Sequence, residues 1–311
     1  MSGPLARIAF LGPEGTFAHA ALLTLPESSG AKLLPQATVV HAVEMVRSGE
    51  ADAALVPLEN SVEGAVPATL DELATGEPLV VVEEAFLPVA FDLLARPDHS
   101  LADVRTVATH PHAEAQTRRW LMTHVPDARV VLLGSTAAGA AAVAAGEADA
   151  SVSTTLAGRL FGLTQLATDI ADHRGAVTRF VLLARPQPAP PPTGNDRTSL
   201  VAFLRADHPG ALLELLSVFA DRGVNLTRIE SRPTKDRLGD YCFSIDLEGH
   251  VADARVGDAL AALRRVCADV RYLGSYPRRE GRQSPVPVGR GDDDFAAAAA
   301  WLAAVRSTGT G

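Results

Sequence analysis

Three successive side chains, Thr178-Arg179-Phe180, place a hydroxyl, a permanent cation and a large apolar ring side by side. A hydroxyl can hydrogen-bond a leaving oxygen. A guanidinium can grip a carboxylate through two parallel hydrogen bonds at any working pH. A salt bridge to an acid of its own domain is the alternative use of such an arginine. The ring suits the wall of a cleft. Together the three types suit work on a small anionic substrate. Further polar candidates stand in short runs elsewhere: Thr16 after Gly12-Pro13-Glu14-Gly15, then Glu59-Asn60-Ser61, then Thr109-His110-Pro111-His112 with Gln116 beyond, and Ser151-Val152-Ser153-Thr154.

These runs must be positioned by strands and helices. Arg7–Leu11 reads as a buried strand entering a glycine turn, with a helix from Ala18. Free backbone N–H groups and the helix dipole make such a turn a natural anion site. Thr38 can cap a helix that ends at Gly49, and Ala53–Pro57 reads as the next strand. Glu59, Asn60 and Ser61 follow its carboxyl end, where open α/β sheets bind ligands. The pattern then returns. Gly49-Glu50-Ala51-Asp52-Ala53 recurs as Gly146-Glu147-Ala148-Asp149-Ala150, 97 positions later, and Arg7-Ile8-Ala9-Phe10 with Gly12-Pro13 is echoed by Arg105-Thr106-Val107-Ala108 with His110-Pro111. Thr38 is matched by Thr136. The repeat implies two similar α/β lobes facing a cleft. Lobe one takes about residues 1–80 and 166–185, and lobe two about 81–165. The segment through Val177–Phe180 crosses back between them.

Length and composition bound the rest. At 311 residues the chain fits two domains rather than one. A net charge of −9 argues against nucleic acid as a partner but not against a small anion held by local donors. Cys242 and Cys267 read as ordinary reduced thiols. No signal peptide precedes the first strand and no apolar run reaches the ~20 residues of a membrane span, so no membrane and a cytoplasmic setting are expected. His110 and His112, two apart around a proline and without a matching Cys, Asp or Glu run, are poor metal ligands. No metal and no cofactor are expected.

Five prolines between Pro186 and Pro192 make 186–195 a semi-rigid linker. Residues 196–277 then read strand, helix, strand, strand, helix, strand, the ferredoxin-like order. The tail from Arg278 to Gly311 is polar and glycine-rich. Disorder is expected there, with a short helix over Ala296–Val305 capped by Asp292-Asp293-Asp294.

Six runs in this order, FLGPEGTFAHAA, VPLENSVEGAV, THPHAEAQ, VTRF, HPGALLELL and NLTRIESRP, resemble prephenate dehydratase fused to an ACT regulatory domain, over roughly residues 5–277. The resemblance implies a two-lobed α/β catalytic domain of the type 2 periplasmic-binding-protein kind over 1–185, with a ferredoxin-like α+β ACT domain over 196–277. It implies conversion of prephenate to phenylpyruvate, water and carbon dioxide, with phenylalanine as feedback effector and no cofactor. By resemblance Thr178 is the essential hydroxyl, Arg179 and Phe180 accompany it, and Glu59 or a water supplies its proton. Thr16, Asn60, Ser61, His110, Gln116 and Ser153 are then candidates for substrate contacts. Gly210, Ala211, Leu212, Asn225, Leu226, Glu230 and Ser231 match the effector-binding stretches. ACT modules pair side by side, which implies a homodimer or homotetramer. The family more often has Ser, Gln and Asn where this chain has Thr109, His112 and Ala176. Arogenate dehydration, or a non-catalytic two-lobed anion binder with an amino-acid sensor, are the rival readings. A pure binder has no need of the Thr178-Arg179 pair.

Overall fold

The strand β1 (Arg7–Leu11) is completely buried at Ile8, Ala9 and Phe10. An unbroken apolar run of this kind marks a parallel sheet covered on both faces. The computed structural model describes residues 5–206, 208–234, 241–281 and 285–309. After β1 come α1 (Phe17–Leu22), β2 (Lys32–Gln36), α2 (Val39–Ser48), β3 (Ala53–Asn60), the short β4 (Gly64–Ala65), α3 (Pro67–Ala74) and β5 (Val80–Pro88). A second series follows: β6 (Asp92–Ala95), β7 (Thr106–Thr109), α4 (Pro111–His124), β8 (Arg129–Leu132), α5 (Thr136–Ala144), β9 (Ala150–Ser153), α6 (Thr155–Leu160) and β10 (Thr164–Ala167). Then comes β11 (Val177–Ala184).

The first sheet runs β2-β1-β3-β11-β5, with β4 on β3, and the second runs β10-β6-β9-β7-β8. Within them β2-β1-β3 and β8-β7-β9 are the same parallel arrangement made twice. The repeated pentad shows why. Asp52 accepts hydrogen bonds from the N–H groups of Ala6 and Arg7 at 3.1 and 2.9 Å. Asp149 accepts from those of Arg105 and Thr106 at 3.0 and 2.8 Å. In each lobe an aspartate before the third strand ties down the start of the first. Burial pushes both carboxyls up, but these hydrogen bonds, with Arg7 and Thr106 side chains adding to them, outweigh it and hold both below the usual range.

Two expectations shift. The limits at 80/81 and 165/166 move, because Val80–Pro88 is one continuous strand of the first sheet and Thr164–Ala167 pairs with β6 in the second. The crossings therefore lie between Pro88 and Asp92 and between Ala167 and Val177. The cap matching Thr38 is Ser135 rather than Thr136: Thr38 accepts from the His41 N–H and Ser135 from that of Ala138. Ser135 is 97 positions after Thr38, the spacing of the pentad, and Thr136 is the first helical residue.

The chain divides into two compact units. One holds the stretch up to Thr69 together with Ala85–Leu182, and so both lobes. The other takes Leu70–Glu84 and everything from Leu183. In the latter unit, 185–195 has no helix or strand, and β12 (Asp196–Phe203), α7 (Ala211–Ala220), β13 (Leu226–Pro233), β14 (Tyr241–Glu248), α8 (Ala254–Val266) and β15 (Asp269–Pro277) follow. They form an antiparallel sheet ordered β13-β14-β12-β15, the ferredoxin-like arrangement. Leu200, Phe219, Ile245, Val256 and Leu263 fill the core between this sheet and the two helices.

Within the same unit Glu84, fully buried, pairs with buried Arg197, and Arg279 donates to Glu83 at 3.0 Å. Removing one partner of a buried pair leaves an uncompensated charge, so Glu83 and Glu84 of β5 are structural anchors. The same contacts correct the expected disorder at the start of the tail. Arg278 pairs with Glu248 at 2.7 Å, and the last helix, α9 (Asp292–Thr308), is longer than the expected Ala296–Val305. Its first turn is fixed where Asp292 accepts from the Ala254 N–H. Residues 282–284 and 310–311 of that tail lie outside the described residues.

Candidate active site

A cavity of about 570 Å³ lies between the two lobes. Its walls come from strand ends and helix starts. Lobe one gives Gly12, Thr16, Phe17, Ala37, Asn60 and the stretch Glu63–Pro67, and lobe two gives Val89, Phe91, His110, His112, Ala113, Gln116 and Gly134–Thr136. β11 gives Thr178 and Phe180. The repeat is visible in the wall itself: Gly12 and His110, 98 apart, and Ala37 and Gly134, 97 apart, occupy matching places. Phe17 meets Phe91 edge-on at 5.3 Å, so one side of the cavity is apolar and spans both lobes.

Period-two alternation decides the roles along β11. Thr178 and Phe180 face the cavity, and Arg179 leaves on the opposite face. There, 3% exposed, it donates to Glu59 Oε1 at 3.1 Å. The clamp expected of Arg179 is therefore replaced by an ion pair inside its own lobe, and Glu59 is committed to Arg179 rather than to Thr178. Thr178 Oγ1 instead accepts from Asn60 Nδ2 at 2.8 Å. With that lone pair taken, the Thr178 O–H proton is directed elsewhere. Asn60 is itself held, because its Oδ1 accepts from the N–H groups of Val62 and Glu63 at 2.8 and 3.0 Å. Ser61 does not line the cavity. Its N–H donates to the Val177 carbonyl and its Oγ accepts from the Val177 N–H, both at 2.9 Å. That double tie anchors the chain next to Ala176, which is buried in the core of lobe two.

Among the described lining residues none is lysine or arginine, and Glu63 is the one carboxylate. Positive potential comes instead from helix starts. His110 caps α4 and Ser135 caps α5, and both helix starts lie at the cavity wall. Thr16 caps α1 and donates to the Leu11 carbonyl at 3.0 Å. Burial, and then the neighbouring His112, push the His110 pKa down and favour its neutral form. Ser153 is fully buried behind the wall and donates to the Thr136 carbonyl at 2.9 Å, steadying the start of α5 rather than reaching a ligand.

Comparison with known proteins settles the family. The model for prephenate dehydratase matches residues 8–188, and that for the ACT domain matches 198–265. A prephenate dehydratase of Amycolatopsis methanolica is 54% identical over 303 residues, 97% of this chain and 98% of the relative. The chain belongs to the prephenate dehydratase family. A second prephenate dehydratase, from Mycolicibacterium vanbaalenii, is 49% identical over 96% of this chain and 98% of its own length. The solved prephenate dehydratase of Arthrobacter aurescens, in complex with L-Phe, superposes with a TM-score of 0.92 at 48% identity, covering 97% of this chain and 99% of that one. The chain is accordingly a hydro-lyase of this family whose sequence continues after the catalytic lobes into an ACT domain.

Sequence reasoning missed several residues of the prephenate dehydratase cleft. Gly134 and Ser135 were within reach through the 97-residue repeat, since they match Ala37 and Thr38. His19, which supports the cleft without lining it, carried no such signal. It accepts from the Gly15 N–H at 3.0 Å and stacks on Phe10 at 5.0 Å, holding the glycine turn from below. Burial lowers its pKa against a smaller opposing pull from Glu14.

In the ACT domain a second cavity of about 350 Å³ is lined by His208, Gly210, Ala211, Leu212, Ser231, Tyr241 and Phe243, among others. Gly210 has φ +96°, a conformation that favours glycine, and caps α7 beside this cavity. Of the expected effector residues, Gly210, Ala211, Leu212 and Ser231 line it. Asn225, Leu226 and Glu230 do not: Asn225 and Leu226 stand at the other end of β13 from Ser231, and Glu230 alternates away from it.

Proposed function

We propose that the cleft binds prephenate with its carboxylates toward the starts of α4 and α5, and that Thr178 is the donor to the departing 4-hydroxyl. The electron pair of the bond to the ring carboxylate moves into the ring as carbon dioxide leaves. The ring becomes aromatic, and the C4–O bond breaks. The leaving oxygen takes up a proton and departs as water. The substrate carries most of the driving force, so the protein supplies position, a proton and a water-poor wall. Thr178 hydrogen-bonds the leaving oxygen, and water at the cleft mouth restores its proton, since Glu59 is engaged by Arg179. Phe17, Phe91 and Phe180 form the wall against which carbon dioxide departs. Thr16, Asn60 and His110 complete the substrate contacts, and Arg179 acts by fixing the strand end that carries Asn60.

The observation that carries this reading is the 2.8 Å bond from Asn60 Nδ2 to Thr178 Oγ1 at the cavity wall, which aims the threonine proton. Purified protein incubated with prephenate at mildly alkaline pH should form phenylpyruvate well above the spontaneous rate. Thr178→Ala should remove that excess while prephenate still binds. Full activity in the variant would rule out the donor role.

We read the ACT cavity as the phenylalanine site, in line with the L-Phe complex of the Arthrobacter aurescens relative. Asn225 and Leu226, away from this cavity, would complete it from a second copy. Leu213, Ile229 and Tyr241 are 67%, 41% and 44% exposed, an apolar face suited to such pairing in a homodimer or homotetramer. Gly210→Ala should relieve inhibition by phenylalanine at unchanged activity without effector, and the mass from sedimentation equilibrium at working concentration would give the subunit number. A cytoplasmic setting accords with the enzyme's biosynthetic role.

A further inference from the structure

Glu63 stands out in a cleft meant for an anion, because it is the lone carboxylate among the described lining residues. Left unengaged, it would repel the substrate. Its two oxygens are instead turned across the mouth to lobe two. Gln116 Nε2 donates to Oε1 at 3.0 Å, and His112 Nδ1 stands 3.6 Å from Oε2. Both partners project from α4, whose start also carries His110.

The other end of this contact leads to the hydroxyl. Glu63 closes a tight hairpin in which Asn60 pairs with Gly64 and Glu59 with Ala65. The Glu63 N–H donates to Asn60 Oδ1, and the Asn60 amide then donates to Thr178 Oγ1. An amide has one carbonyl and one NH₂ group. Fixing the carbonyl on the hairpin fixes which face of Thr178 receives the NH₂. The series Gln116, Glu63, Asn60, Thr178 is thus a continuous line of hydrogen-bonded or covalently adjacent groups from one lobe to the reacting centre.

We propose that Glu63 is a positioning residue that couples closure of the cleft to the orientation of Thr178. When the lobes approach, Gln116 and His112 capture the Glu63 carboxylate, the hairpin is held, and Asn60 aims the threonine proton at the substrate. The same capture masks the one negative charge on the wall. This inference rests on the reading of Thr178 as donor.

The test is a set of full-length variants assayed for kcat and KM on prephenate: Glu63→Ala, Gln116→Ala, their double, Gln116→Glu, and the exchange Glu63→Gln with Gln116→Glu. Each alanine variant should lower kcat/KM by about fivefold, with part of the loss in kcat, and the double should be little worse than either single. Gln116→Glu sets two carboxylates face to face and should lose more, and the exchange should recover most of that loss. Losses that multiply in the double, an exchange that recovers nothing, or alanine variants with wild-type constants would each overturn the proposal. Thermal melting separates a folding defect, since both side chains lie at the surface and none of these variants should move the midpoint much. Thr178→Ala, measured alongside, tests the donor reading by itself. Coupling between Glu63 and Gln116 with an active Thr178→Ala enzyme would sink that reading and leave the closure contact standing.

Discussion

Lobe one and lobe two are built on the same plan and used differently. Each has three parallel strands in the order second, first, third, a capped helix before the third strand, and an aspartate that ties down the start of the first. At the carboxyl ends of the strands they part. In the proposed function lobe one, with the returning β11, supplies the proton through Asn60 and Thr178. Lobe two would hold the carboxylates at the starts of α4 and α5. A duplicated scaffold leaves strand-end loops free to diverge, because they carry little of the core. The helices diverge too. Ala42 of α2 is matched 97 positions on by Gly139 of α5. A Cβ on Gly139 would come within 2.6 Å of the Ala108 carbonyl oxygen and of Ser151 Oγ, so α5 lies closer to its sheet than an alanine there permits.

The sharpest way to break this division of labour is to remove one lobe's contribution at a time. Thr178→Ala should lower kcat by ~10²–10⁴, the span of general acid assistance, with a smaller change in KM. His110→Ala, on the anion-holding side, should act mainly on KM. The opposite pattern in steady-state kinetics would reverse the assignment of the lobes. Next in size is Gly139→Ala. It should destabilise by about 2 kcal/mol through overpacking against backbone, read by denaturant unfolding, although its counterpart in lobe one is already alanine. A neutral result would mean the two helices pack alike.

The aspartates test what the lobes share. Asp52→Asn and Asp149→Asn should each cost about 1 kcal/mol, discounted for partial exposure, and the two losses should match. A large disparity would show that the repeated pentad serves only one lobe. Both carboxyls are held below the usual range in the folded protein. Their stabilisation is therefore complete above the unfolded carboxylate pKa and is lost as pH falls through the depressed folded values. Acid unfolding of either variant should begin from a lower plateau and show a shallower loss over that window. The smallest effect concerns His110. Its lowered pKa favours the neutral form, so KM should show no histidine transition as pH drops through the ordinary histidine range. A KM transition at the ordinary value would mean that the ring is charged during binding.

Much of this was legible in order along the chain. The spacing of Gly49–Ala53 and Gly146–Ala150 gave away the two lobes, because an aspartate that ties two strand starts must sit at a fixed place in each copy. The alternation of strand, helix, strand, strand, helix, strand gave the C-terminal domain. The runs around Thr16, Asn60, His110 and Thr178 pointed to the cleft, since loops at strand carboxyl ends converge in such folds. Less legible were residues whose role depends on direction. Ser153 and Ser61 look like ligand donors in the sequence. In the fold their hydroxyls are used by Thr136 and Val177. The role of Glu63 shows only when Gln116, 53 residues away, is seen to donate to it.

By itself the sequence determined the number of lobes, the second domain and the family, because periodicity, repeats and short motifs are local properties written along the chain. Only the tertiary structure decided what the opening triplet does. Thr178 and Phe180 face the cleft, and Arg179 turns away to Glu59, because a strand sends neighbouring side chains to opposite faces and only the packed sheet says which face is which.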